Sequence, residues 1–260
     1  MEGCPRLQHI FGDSSIELGN KRSGLRDVVR SCVSLGLKTF RTECPYAHDR
    51  EECQDTVRSL LDHHTTTLED FELRGCNHIS SIDLHSVLAK CRNLKWFSLS
   101  LGQSITFEDA VSSAWICRDI KHLQLYLERR VNFPTRRMLE IVNQKGKNVY
   151  AQIGRLVKLE DLSLGYILGP VVKDLTLEAG WLAELAGLKK LRRFCMLTDF
   201  WTLMGQAEVE FMVSNWPKLE KISLDMKQYR DVPDYDVFSK PHWRWLKEKR
   251  PHIVLTANKW

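Results

Sequence analysis

The stretch Leu68–Leu125, LEDFELRGCNHISSIDLHSVLAKCRNLKWFSLSLGQSITFEDAVSSAWICRDIKHLQL, carries one apolar pattern three times. It reads L-x-x-F-x-L at Leu68, Phe71 and Leu73, again at Leu94, Phe97 and Leu99, then I-x-x-L-x-L at Ile120, Leu123 and Leu125. Both steps are 26 residues, and Cys91 and Cys117 each stand three places before the next apolar lead. Alternation inside each run is the mark of a half-buried strand, and the interval leaves room for one helix before the next strand.

A fixed period of this size with an alternating apolar core is the signature of a leucine-rich repeat. One strand–helix unit cannot bury its strand face and its helix stripe alone, so each unit stacks on the next. The expected fold is an α/β solenoid, a right-handed horseshoe arc with a parallel sheet on its concave face and helices on its convex face. Residues 1–260 read as a single leucine-rich-repeat domain of about eight repeats, with no Pro/Gly/Ser linker.

Working outward, the first lead is Leu7 with Ile10, close to Met1. GLRDVVRSC (24–32) has helical spacing and feeds a strand led by Leu37 and Phe40. EECQDTVRSLLDHH (51–64) is a second helix. The helical halves of the central units are 78–91, with Ile82, Leu84, Val87 and Leu88 inward, and 105–117, with Phe107, Val111, Trp115 and Ile116 inward. After Ile120 the next lead is Leu159, a step of 39 residues, so the unit at roughly 126–158 is enlarged. Pro134 can open its helix, since its missing N–H costs nothing there, and Gly146 is expected to interrupt it. Later leads are Leu191 and Leu219, after steps of 32 and 28 residues. Amphipathic segments at 175–188 and 206–216, a last helix HWRWLKEKR ending before Pro251 and a final strand complete the chain; Trp243 and Trp245 are expected to seal the last repeat.

The 260 residues are 43% hydrophobic and 27% charged, ordinary for a folded soluble protein. The net charge of +5, with signs interleaved, gives little support to a nucleic-acid or membrane partner. No apolar run spans a membrane, and MEGCPRLQHIFGD lacks the pattern of a secretory signal. The eight cysteines then belong to a reducing compartment, cytoplasmic or nuclear.

Period-2 alternation defines the candidate binding surface. With Phe71 and Leu73 inward, Asp70, Glu72 and Arg74 face outward. The same phase presents Thr39, Arg41 and Glu43; Trp96, Ser98 and Ser100; His122, Gln124 and Tyr126; Asp161 and Ser163; Arg193 and Cys195; Lys221, Ser223 and Asp225. Trp96, His122 and Tyr126 share the middle of the row, and aromatic residues flanked by charge are the usual material of protein-binding hot spots.

The unit LRGCNHISSIDLHSVLAKCRNLKWFSL resembles the cysteine-containing leucine-rich repeat, through Cys76 after the strand, Ile79 behind it, Leu88-Ala89 and the closing Cys91. That variety belongs to ribonuclease-inhibitor-like solenoids, most often in F-box proteins. The segments VYAQIGRLVKLEDLSLG, EVEFMVSNWPKLEKISL and HWRWLKEKRPHI look like the C-terminal part of fungal F-box/leucine-rich-repeat proteins. The position of Cys76 is taken by Gly102 and Glu128 in the next two units, so the polar ladder is degenerate. The resemblance implies a non-enzymatic interaction scaffold, the substrate-reading part of an F-box-type ubiquitin ligase receptor. No F-box module of about 40 residues precedes the repeats, so ligase subunits are expected partners only where an upstream F-box exists. The alternative is a stand-alone, ribonuclease-inhibitor-like protein that binds and blocks an enzyme.

Other chemistry finds little footing. Cys44, His48 and Cys53, with His63 and His64 downstream, lack the tight paired spacing of a zinc site. Cys91 and Cys117 read as small apolar fillers at a repeat joint. Arg129, Arg130, Arg136, Arg137, Lys145 and Lys147 read as a solvated face without stacking aromatics. QKGKN lacks the preceding glycine of a phosphate loop, and no G-x-S-x-G, H-E-x-x-H or paired-cysteine redox motif occurs. No cofactor and no metal are expected, and the partner is another protein.

Overall fold

A computed structural model describes residues 8–13, 24–32, 36–43, 50–76, 79–128, 136–167, 176–177, 180–197, 204–225 and 237–258. The fold is mixed α/β, and its strands pair in parallel. The chain divides into two compact units, Met1–Tyr126 and Leu127–Trp260.

The first unit alternates strand and helix. Its elements are β1 (His9–Asp13), α1 (Gly24–Ser31), β2 (Thr39–Glu43), α2 (Arg50–His63), β3 (Asp70–Arg74), α3 (Ser81–Lys90) and β4 (Trp96–Leu99). A two-residue strand β5 (Ile105–Thr106), one helical turn α4 (Phe107–Ala110) and the start of β6 (His122–Glu128) follow. Sheet order is β1-β2-β3-β4-β6, with β5 pairing to β6 off that path. The register is in phase: Asp70 lies opposite Trp96, and Trp96 opposite His122, so the 26-residue step becomes a lateral step of one strand. Backbone bonds carry the pairing one residue further back, from Glu69 N–H to Lys38 O at 2.7 Å and from Lys121 N–H to Lys95 O at 2.8 Å.

That register stacks like side chains. Phe40 and Phe71 lie 6.1 Å apart between ring centroids, and Phe71 and Phe97 lie 5.5 Å apart. Leu123 continues the row beside Phe97, and Leu60, Leu84, Val87 and Leu88 of the helices are buried as well. Each such side chain contributes about 1.5–3 kcal/mol by leaving water. Cys91 and Cys117 are sealed in the same core, and burial pushes both thiols up to about 12. His64 is buried in this core, and its Nδ1 accepts the Leu37 N–H at 3.2 Å while Nε2–H donates to Val29 O at 3.1 Å.

Ser80 caps α3 by accepting the Asp83 N–H, and Thr106 caps α4 by accepting the Asp109 N–H. The segment 105–117 is not one helix but a two-residue strand followed by one helical turn. Ser112 Oγ–H donates to Asp109 O, and the Trp115 indole N–H to Ala110 O, so side chains take the carbonyls a longer helix would use. Ile82 and Ile116, expected inward, are 46% and 45% exposed.

The second unit holds α5 (Arg136–Gly154), β7 (Asp161–Ile167), α6 (Trp181–Glu184) with a 3-10 turn at Leu185–Gly187, and β8 (Arg193–Met196). It continues with α7 (Gln206–Asn215), β9 (Lys221–Asp225), α8 (Pro241–Lys249) and β10 (Val254–Asn258). Sheet order is β7-β8-β9-β10. Leu162, Phe194 and Ile222 share one register row and are buried, as is Trp243 of α8. Trp245, expected beside it as a seal, is half-buried.

Gly146 does not interrupt α5. It is the slot that receives Trp181, whose buried ring lies where any Cβ at position 146 would stand. Gly154 likewise faces the Glu184 carbonyl with no room for a Cβ, and Gly187 faces the Gly154 carbonyl. Within the segment 175–188 the helical elements among the described residues are α6 and its 3-10 turn. Glu208, at the start of α7, accepts the Gly205 N–H at 2.9 Å and the Leu177 N–H at 3.1 Å, one carboxylate serving two backbone donors. Among the described residues no helix is long and apolar enough to cross a membrane.

Candidate functional site

In the first unit the outward residues of five strands meet in two rows. One row is His9, Thr39, Asp70, Trp96 and His122; the next is Phe11, Arg41, Glu72, Ser98 and Gln124. A parallel sheet has to send alternate side chains this way, so the rows follow directly from the strand pattern.

Two aromatic rings and one guanidinium dominate the surface. Trp96 and His122 lie face to face, 3.6 Å between centroids and 6° from parallel. The Arg41 guanidinium reaches across β3 to stand 5.1 Å from the Trp96 ring centroid and 6.0 Å from that of Phe11. Cation–π contacts at such distances contribute about 0.5–1 kcal/mol where exposed. Phe11 is 66% exposed, a large apolar side chain left to solvent.

The charges are internally compensated. Arg41 approaches Asp70 at 3.4 Å and Glu72 at 3.7 Å, while Arg74 pairs with Glu72 at 2.6 Å. Glu72 is itself buried among its neighbours. His9 Nδ1 and Thr39 Oγ1 are hydrogen-bonded at 2.9 Å, and the Thr39 hydroxyl points to Asp70 at 3.3 Å. The hydroxyl sits between the imidazole and the carboxylate, not ahead of the imidazole as in a relay that activates a nucleophile. Gln124 donates to Leu99 O at 2.8 Å. The Trp96 indole N–H makes no hydrogen bond among the described residues. At the edge, Lys95 hydrogen-bonds Glu69 and holds that carboxyl below its ordinary range.

Of the expected binding residues, Arg41, Asp70, Glu72, Trp96, His122 and Gln124 come together here, and Arg74 is exposed at the end of β3. Tyr126 lies on the same strand as His122 but is 5% exposed, so it supports the surface more than it presents itself. His9 and Phe11 were missed, although alternation around Ile10 points both outward.

In the second unit, Asp161 and Arg193 form a two-pronged ion pair across β7 and β8. Lys221 and Val254 extend that row, and Ser223 meets Thr256 at 2.8 Å in the next. Asp225 stands opposite Asn258 in the backbone register, and its side chain lies outside the described residues. At the leading edge of these strands, Glu160, Lys190, Arg192, Lys218, Glu220 and His252 line a groove of about 540 Å3. Arg192 grips Glu220 there with two bonds of 2.9 Å.

Cys44 and His48 lie outside the described residues, and His64 is committed to backbone bonds inside the core. Among the described residues no group of three or more metal-ligating side chains assembles. Arg129 and Arg130, and the side chains of Arg136 and Arg137, are also outside the described residues, while Lys147 approaches Glu184 at 3.7 Å. Neither a protein-family model nor a curated protein sequence matches the chain.

Proposed function

We propose that the chain is a leucine-rich-repeat solenoid that acts as a non-catalytic protein-interaction scaffold in the cytoplasm or nucleus. Its outward sheet face holds the partner, and its role is the substrate-recognition part of an F-box-type receptor. The observation that carries this reading is the in-register cluster of Phe11, Arg41, Trp96 and His122 on that face. Aromatic and arginine anchors held in place before binding lose little side-chain freedom on docking, which is the usual composition of an interface hot spot. Its carboxylates are already matched by arginines, so the surface can be covered by a partner without stranding a charge.

Affinity capture with quantitative mass spectrometry tests the proposal. A Trp96→Ala/His122→Ala variant should lose at least ten-fold of a specific partner, consistent with two hot-spot truncations. Ligase subunits captured along with that partner support the receptor role. A lone enzyme, inhibited on binding, favours the ribonuclease-inhibitor-like alternative, and unchanged capture refutes the site.

A further inference from the structure

We propose that Cys53 and Cys76 are a redox-sensitive thiol pair that closes into a disulfide when the protein meets a peroxide. Their sulfurs are 3.6 Å apart, already in contact across α2 and the turn that follows β3. A disulfide needs about 2.05 Å, so the two sulfurs have to close by about 1.5 Å.

Both ends are held where they are. Cys76 follows Gly75, which takes φ 73, and the Gly75 N–H donates to Ser100 Oγ at 3.0 Å. The Cys76 carbonyl accepts from Gln103 Nε2 at 3.1 Å. Cys53 sits in the first turns of α2, and the next residue, Gln54, is tied to Asp83 of α3 at 3.1 Å. The two thiols therefore do not meet by chance encounter of loose segments.

Accessibility divides the labour between them. Cys53 is half-buried, open enough for a small oxidant, whereas Cys76 is 4% exposed. The Cys53 thiolate attacks the peroxide O–O bond, giving a sulfenic acid and, after protonation, one water. The Cys76 sulfur then attacks the sulfenic sulfur, forming S–S and expelling the second water. Two thiols lose two electrons, and one hydrogen peroxide becomes two waters. Cys91 and Cys117 are fully buried thiols and serve as the internal contrast.

The bond would clamp α2 to the end of β3, the strand that presents Asp70, Glu72 and Arg74. It closes a loop of the length for which a disulfide raises the unfolding midpoint by about 10 °C.

The test is treatment of the full native chain with hydrogen peroxide, followed by alkylation, intact mass and non-reducing peptide mapping. The expected result is two fewer alkyl groups on the intact chain for each disulfide formed, a Cys53–Cys76 cross-linked peptide, a raised midpoint and reversal of all three by dithiothreitol. Cys53→Ser and Cys76→Ser should each abolish the cross-link; should either variant fail to fold, the wild-type peptide map decides alone. Cys53 and Cys76 both remaining alkylatable, or Cys53 linked to any other cysteine, would overturn the proposal.

Discussion

His64 shows how a single residue can be misread from its type alone. A histidine near cysteines suggests a metal ligand, yet both ring nitrogens here are occupied by backbone groups separated by many residues in sequence. An N–H donating to Nδ1 and a carbonyl receiving from Nε2 fix the neutral tautomer. Burial lowers its pKa from the ordinary value, and does the same for His85 and His242. For a lowered folded pKa, the stabilisation is complete above the unfolded value of about 6.5 and is lost as pH falls from there through the folded values. The urea midpoint should therefore drop between pH of about 7.5 and 5, and His64→Gln should flatten part of that slope. A midpoint that stayed level across this interval would show these imidazoles to be solvated.

At the scale of elements, glycines decide how the second unit packs. Gly154 allows the C-terminal end of α5 to approach the Glu184 carbonyl, and Gly146 gives α5 a slot for Trp181. Gly154→Ala should destabilise by about 3 kcal/mol, measured by chemical denaturation, since backbone rather than a movable side chain stands in the way. Phe97→Ala, which empties the end of the phenylalanine column, should cost about 3–5 kcal/mol. Strands and the longer helices were legible because their periods repeat within a few residues: the runs at Phe71, Phe97 and Leu123 fall on strands, and 51–64 falls on α2. The short helices were not. The apolar spacing of 105–117 suits a helix, but Ser112 and Trp115 cap its first turn from positions that a local pattern cannot weigh. Gly146 looked like a breaker because its reason for being glycine, Trp181, lies far along the chain.

On the scale of the molecule, the 26-residue step matters because it sets side chains from distant sequence positions into rows. Asp70, Trp96 and His122 were legible as neighbours from phase alone. The reach of Arg41 over Trp96 was not, since a long side chain crossing an intervening strand leaves no periodic trace. Tyr126 had the right phase but is enclosed, because alternation states a side and says nothing of what covers it. Arg41→Ala should weaken partner capture several-fold while leaving the thermal midpoint within a few degrees, since exposed ion and cation–π pairs add at most about 1 kcal/mol each. The outward face is tested most directly by photo-crosslinking from single positions. A photoreactive phenylalanine analogue placed at Phe11 or Gln124 should capture the partner, and one placed at Arg58 or Lys90 on the helices should not. Capture from Arg58 or Lys90 with none from Phe11 or Gln124 would contradict a binding role for the sheet face.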